Sequence, residues 1–452
     1  MDRRDFLKKS AAVAAVAAVP EGLSIASAAE KALSVADADS EATGKLIASA
    51  PCLQNYASTS MGVAFAVGDM ANGYVEYSEN EDFTDAVRVY GGGYRVTDMN
   101  KDIIQVRLTG LKPATKYYYR IAADRINYVH GHSIHITGSE KDPRTYSFTT
   151  AGSAADAHFC VINDTHGVWN ALSPSIDKIF QLAPSCVVWN GDAYSSSEDI
   201  ETQKMVFFNP PINRQDYAAT IPYLLCCGNH DSRGLANRHL ERAWMFRQPE
   251  ERSSRDWDLG RNFAVRMGDI AMIGLDTAED KLDENPLFCN CFNSAAYREA
   301  QVLWLKDALK RKEIASAPYL VAFCHIPLFS SDPTDNPGDV HPNDTDSKYR
   351  HNFAIWQRTC HDLWAPWLEK AGCQLIITAH VHSYRFDAPA ADRKWAQITG
   401  GGPDMGSKTG FPTVIEGLTE GGRLKIRIHN IATSQVVDEF EFKPRKGKKT
   451  SK

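Results

Sequence analysis

Five apolar runs each stop at a residue that can hold a metal ion, and no other feature of the sequence narrows the fold as much. His158-Phe159-Cys160-Val161-Ile162 stops at Asn163-Asp164, Cys186-Val187-Val188-Trp189 at Asn190-Gly191-Asp192, and Pro222 to Cys227 at Gly228-Asn229-His230. Tyr319 to Cys324 stops at His325, and Gln374 to Thr378 at Ala379-His380. Apolar runs without alternation suit strands buried on both faces. Polar residues at the carboxyl ends of such strands are where α/β proteins place their sites. Helical stretches lie between the runs: Glu299 to Lys312, with Val302, Leu305 and Leu309 at helical spacing, and Trp356 to Lys370. Phe263 to Arg266 and Ala271 to Leu275 read as a hairpin around Gly268-Asp269. Residues 152–443 are therefore expected to form an α/β domain.

The chain before Gly152 has another texture. Residues 46–151 hold short alternating strands, such as Gly62 to Val67, Gly73 to Tyr77 and Asp102 to Leu108, separated by turn residues at short intervals. That pattern belongs to a β-sandwich. Leu111 to Arg120 resembles the corner of a fibronectin type III module, and Tyr146 to Thr150 its last strand. Pro51-Cys52-Leu53-Gln54-Asn55 resembles the opening of the N-terminal domain of purple acid phosphatases. The resemblance implies an all-β, fibronectin-like sandwich ahead of the α/β domain.

Residues 1–28 read as a targeting segment. Arg3-Arg4-Asp5-Phe6-Leu7-Lys8 precedes the apolar run Ala11 to Val19, and Ala26-Ser27-Ala28 offers small residues for cleavage before Ala29. The run is too short to span a bilayer, which takes about 20 apolar residues. Paired arginines followed by Phe-Leu-Lys resemble a twin-arginine export signal, which implies a periplasmic or extracellular protein. Residues 29–45, rich in Ala, Asp, Ser and Glu, read as a linker, and the basic residues of 444–452 as a solvated tail. A formal net charge of -6 provides no broad basic field for nucleic acid, and no nucleic-acid-binding module is expected. Cys160, Cys186, Cys226, Cys227 and Cys324 fall inside apolar runs and read as small buried hydrophobes. Cys289 and Cys291 fall in a loop-like stretch.

The polar endings carry the chemistry. Two divalent ions need oxygen and imidazole ligands converging from several segments. The chain has Asp164-Thr165-His166, Gly191-Asp192, Gly228-Asn229-His230-Asp231, His325, and His380-Val381-His382. In order and context these resemble the motifs of calcineurin-like metallophosphoesterases, with Ala379 where Gly is usual. The resemblance implies an αββα-sandwich and two divalent metal ions, Fe, Mn or Zn. One ion would take Asp164, His166, Asp192 and His382. The other would take Asp192, Asn229, His325 and His380, so Asp192 bridges. D-x-H and H-x-H lie just past their strands, and both are expected in loop geometry.

Two such ions about 3.5–4 Å apart make hydroxide available near neutral pH and bind phosphoryl oxygens. The expected reaction is attack of that hydroxide on the phosphorus of a phosphoester substrate, a phosphomonoester first and a phosphodiester as the alternative. His230 is the candidate to stabilise the phosphoryl group or protonate the leaving oxygen. Asp231 is the candidate to orient His230, with a turn carboxylate as the plainer reading. Arg233 reads as a surface arginine, with contact to phosphate as the alternative, and Asp332 to Ser347 as a loop over the mouth. Trp169, Tyr384 and His341 read as packing or surface residues, with a part in substrate choice as the alternative. Purple acid phosphatases carry a tyrosine three residues after the Asp of Gly-Asp; here that residue is Ser195, Tyr194 comes one position early, and His166 fills the other ligand place. No iron–tyrosinate site is expected. The rival from another class is a non-catalytic surface-binding protein with a relic metal site, which a missing ligand would favour; none is missing.

Overall fold

The computed structural model describes residues 44–92, 101–152, 157–246, 259–289, 291–330, 352–448 and 450. The signal segment 1–28, residues 29–43 of the linker, the 332–347 loop and His341 lie outside them. Among the described residues, the α/β part has four layers: helices, sheet, sheet, helices. One sheet runs, in spatial order, Gln435–Phe442, Arg423–Asn430, Thr413–Glu420, His158–Ile162, Cys186–Trp189, Tyr223–Leu225, Cys52–Gln54, Ser60–Ala66 and Ile103–Thr109. The other runs Phe263–Met267, Ile270–Leu275, Tyr319–Cys324, Leu375–Thr378, Ala396–Thr399 and Arg385–Asp387. His158–Ile162, Cys186–Trp189 and Tyr223–Leu225 are parallel neighbours, as are Ile270–Leu275, Tyr319–Cys324, Leu375–Thr378 and Ala396–Thr399. Parallel pairing gathers the polar endings of each sheet at one end.

Alternate residues of these strands serve two cores. Phe159 and Val161 meet Met272, Val321, Phe323 and Ile377 between the sheets. Cys160 and Ile162 turn outward to Leu172, Ile176 and Ile179 of the helix Trp169–Leu182. Leu320, Ala322 and Cys324 turn the other way, to Leu305 and Ala308 of Ser294–Ala308 and to Trp364 and Leu368 of Asn352–Lys370. With both faces buried there is no solvent position to alternate with, which is why these runs read as unbroken.

The expected hairpin forms, Phe263–Met267 against Ile270–Leu275. The expected helix at 299–312 is displaced. It begins at Ser294 because Asp283, in the segment that leads into it, accepts from the amides of Ser294 at 2.7 Å and Ala295 at 3.1 Å. It ends at Ala308, and a second short helix follows at Lys312–Ser316. The solvated-tail reading fails at Arg445, which is 8% exposed. Its guanidinium donates to the carbonyls of Ile314 and Ala317 at the end of that short helix and to Ala371, caps that a helix C-terminus otherwise lacks.

The N-terminal strands form a sandwich. Its second sheet runs Val87–Tyr90, Ala71–Ser78, Lys116–His130 and Ser133–Lys141, with Tyr146–Thr149 also on Lys116–His130. Val75, Tyr119, Ile121 and Phe148 from it pack with Val63, Phe65 and Val106. The corner is a tyrosine corner, in which the Lys112 amide donates to the Tyr117 hydroxyl at 2.9 Å. The first sheet of the sandwich is not separate, as its local pattern suggested. Cys52–Gln54 pairs in parallel with Tyr223–Leu225, so the sheet runs on into the α/β part. Gln54, fully buried, donates to Ala243 O and accepts from Met245 N, each at 2.9 Å. Tyr119 donates to Ala219 O at 2.6 Å. With Asn55 Nδ2 donating to Phe246 O, both buried polar residues of the Pro51 to Asn55 segment are bonded to the α/β part.

Candidate metal centre

The residues past three of the five apolar runs have a shared backbone peculiarity. Asp164 (φ 45°), His166 (φ 46°), Asp192 (φ 53°), His380 (φ 73°) and His382 (φ 55°) are left-handed, five of the twelve such non-glycine residues described. Each costs about 1–3 kcal/mol unless its surroundings impose it, and such residues cluster at functional sites. Both D-x-H and H-x-H thus have loop geometry. The left-handed positions are the histidines and not Ala379, so no glycine is needed there. Glycine is needed at Gly191 (φ 87°) and Gly228. A Cβ on the first would overlap the His325 ring, and on the second the Asp192 carboxylate.

These loops bring together all seven ligand candidates. Asp164 Oδ1 lies 3.4 Å from His382 Nε2, and His166 Nε2 lies 3.1 Å from the same nitrogen. Asp192 Oδ2 lies 3.6 Å from His166 Nε2 and 3.1 Å from His325 Nε2. His380 Nδ1 lies 3.0 Å from Asn229 Oδ1. Asp164, His166 and His382 offer ligand atoms within 4.8 Å of one another, and so do Asp192, His325 and His380. Asp192 also groups with His166 and His230, so its carboxylate faces both sets.

A second layer aims these groups. His325 Nδ1 donates to Asn190 O at 2.9 Å, which turns Nε2 to the cleft. That Nε2 is buried and makes no hydrogen bond among the described residues. Asn163 Nδ2 donates to Asp164 Oδ2 at 2.7 Å, and the amides of His380 and His230 donate to Asp164 at 3.0 Å and Asp192 at 2.9 Å. Burial lowers His166 and His380 to about 4, so both rings are neutral and able to ligate. At His325 burial also works against the charge, but the Asp192 and Asp164 carboxylates outweigh it and raise the ring to about 10. The cleft therefore carries negative charge that a proton or a cation must balance. A buried unbonded imidazole nitrogen beside two carboxylates suits divalent cations of the kind imidazole and carboxylate hold together.

Two readings change. Asp231 does not orient His230. It is fully buried, and its oxygens accept from the amides of Asp192 and Gly228 at 2.8 Å each and of Ala193 at 3.1 Å. It braces the two ligand loops against each other. The ring of His230 instead donates from Nδ1 to Ser195 O at 2.7 Å and accepts at Nε2 from Arg233 Nη1 at 3.0 Å. Arg233 is no surface residue: its side chain is 19% exposed and ion-paired with Glu279 and Asp280. The sequence signal for those acids was their place just beyond the carboxyl end of the strand Ile270–Leu275, where every other site residue also sits.

Tyr194 points away from the cleft. It is buried, and its hydroxyl accepts from Asn237 Nδ2 at 3.0 Å. Trp169 and Tyr384 are partly buried packing residues, the latter donating to Asp438 Oδ2 at 2.6 Å. Cys160, Cys186, Cys226, Cys227 and Cys324 are buried, as expected. No described helix is long and apolar enough to cross a membrane.

Comparison with known proteins agrees with this geometry. Residues 157–384 match the family profile for calcineurin-like phosphoesterases, residues 51–150 that for the N-terminal domain of purple acid phosphatases, and residues 1–20 that for twin-arginine translocation signal sequences. No curated protein sequence matches significantly. Among solved structures, the fold is similar to purple acid phosphatase PPD1 from yellow lupin (Lupinus luteus), with TM-score 0.59, 13% identity, and 87% of this chain and 74% of that one covered. It is similar also to PhoD, with TM-score 0.59, 12% identity and coverage of 89% and 92%.

Proposed function

Because the chain belongs to the calcineurin-like phosphoesterase family, we propose that it hydrolyses a phosphomonoester with two divalent ions bridged by Asp192. It is a metal-using phosphoesterase carrying a twin-arginine export signal. The observation that carries the finer reading is the position of the Asp192 carboxylate, within reach of His166 on one side and His325 on the other. Asp164, His166 and His382 would complete one ion's shell, and Asn229, His325 and His380 the other's. When bound, the ions supply an acidified water and positive charge against the phosphoryl oxygens.

The chain's own groups do the rest. Asp231 keeps the loops of Asp192 and Asn229 in register through the amides of Asp192, Ala193 and Gly228. His230, with Nδ1 donating to Ser195 O and Nε2 faced by Arg233 Nη1, would need a proton on Nε2 to meet the phosphoryl group or the leaving oxygen. The monoester choice is supported by the purple-acid-phosphatase-type N-terminal region. Tyr194, turned into the core with its hydroxyl on Asn237, does not offer a tyrosinate to the site.

The test is hydrolysis of p-nitrophenyl phosphate and bis-p-nitrophenyl phosphate by the full chain with Mn, Zn or Fe added. Faster turnover of the monoester is expected. The reverse ratio would make the protein a diesterase. No turnover of either, or of a wider phosphoester panel, with two ions bound would favour the non-catalytic binding reading.

A further inference from the structure

One wall of the cleft holds more buried charge than metal binding requires. Arg233 follows the short helix His230–Ser232. Its Nε and Nη2 donate to the two oxygens of Glu279 at 2.9 and 2.6 Å, a fork-to-fork pair. Nη2 also donates to Asp280 Oδ1 at 2.9 Å, and the guanidinium lies 5.5 Å from the Phe288 ring centre. Asp280 in turn is held by Lys281 Nζ at 2.8 Å, and its Oδ2 stands 3.7 Å from His380 Nε2. Glu279 and Asp280 are 1% and 5% exposed at their side chains.

A buried ion pair gives little net stability over well-packed apolar groups. Folding alone is therefore a poor reason for two carboxylates and an arginine at this place. What the clamp does is geometric. It fixes two nitrogens of a planar group and leaves the third, Nη1, on the cleft side. There Nη1 lies over the His230 imidazole, 3.0 Å from Nε2 and 3.3 Å from the Nδ1 that donates to Ser195 O. An arginine N–H and the histidine thus share one point beside the metal ligands. Planar guanidinium forks are suited to phosphoryl oxygens.

We propose that Arg233 is a phosphate-binding residue: Nη1, which lies over the His230 ring, turns to a non-bridging phosphoryl oxygen of the substrate, while Glu279 holds the rest of the guanidinium. The inference rests on the phosphoesterase site described above and adds the group that recognises the phosphate itself. Glu279 is then a positioning residue, acting through Arg233. Once Nη1 has turned away, His230 Nε2 can take a proton from solvent and donate it to the substrate, so one event opens both groups.

The probe is inorganic phosphate, titrated calorimetrically into the metal-loaded full chain and used as a competitive inhibitor of p-nitrophenyl phosphate hydrolysis. In Arg233→Met, phosphate affinity is expected to fall about 10- to 100-fold with metal content unchanged, the size of one charged hydrogen bond. Arg233→Lys, which keeps charge but loses the fork, should fall between. Glu279→Gln should raise KM and the phosphate inhibition constant severalfold while kcat changes less. A wild-type phosphate affinity in Arg233→Met with both ions bound would overturn the proposal. If that variant does not fold, unchanged phosphate affinity in both Arg233→Lys and Glu279→Gln would do so. Phosphate binding is read without turnover: a wild type that binds phosphate through Arg233 yet hydrolyses no ester would sink the hydrolase reading and uphold the contact.

Discussion

The floor and the wall of the cleft are built from similar residues by different means. On the floor, Asp164, His166, Asp192, His380 and His382 are left-handed residues placed by the ends of their own strands, with donors and acceptors meeting over long sequence separations only because parallel sheets align those ends. On the wall, Arg233 owes its place to Glu279, 46 residues on, and points at His230 only because of that grip. The floor encodes position in backbone and the wall in side-chain pairing. Backbone strain concentrated at five residues is a cost that metal ligation explains. Buried pairing is a cost that substrate recognition would explain.

Substitutions on the floor should separate from those near the wall by whether metal is lost. The largest effect is expected for Asp192→Ala, which removes the carboxylate facing both ligand sets. Both metal content, by elemental analysis, and turnover should fall together, turnover by on the order of 10⁴-fold or more. Retention of two ions at wild-type affinity would break the assignment of Asp192. His230→Ala comes next. It should keep both ions and lose about 10²- to 10⁴-fold in kcat on an ester with a poor leaving group. Full kcat across pH would remove His230 from the chemistry. Asp231→Asn should be the mildest in rate and the clearest in stability. An amide cannot accept from all three of the Asp192, Ala193 and Gly228 amides, so a buried donor is left over, costing about 1–3 kcal/mol of unfolding free energy. A loss of kcat equal to that of His230→Ala, with stability unchanged, would restore Asp231 to a direct role.

The floor was legible in the sequence because each ligand follows an apolar run, and the run and its ending are contiguous. The unbroken runs also marked strands covered on both faces, but the four layers themselves were implied by the family resemblance and not by the pattern. What local pattern did not carry was contact across the chain. Gln54 and Asn55 gave no sign that their strand would pair with Tyr223–Leu225 and fuse the sandwich to the catalytic sheet. Ser294 did not disclose a cap supplied by Asp283. Arg445 looked like part of a basic tail until its carbonyl partners at Ile314, Ala317 and Ala371 were in place. Arg233 looked exposed because the acids that bury it lie in another segment. In each case the deciding partner is remote in sequence and the residue type alone is ambiguous.

The central claim is that one carboxylate joins two metal sites. Anomalous diffraction from crystals of the full chain grown with Mn or Zn tests it most directly. The account predicts two anomalous peaks per chain on opposite sides of the Asp192 carboxylate, one beside Asp164, His166 and His382 and the other beside Asn229, His325 and His380. A single peak at saturating metal, or two peaks that do not share Asp192, would contradict it.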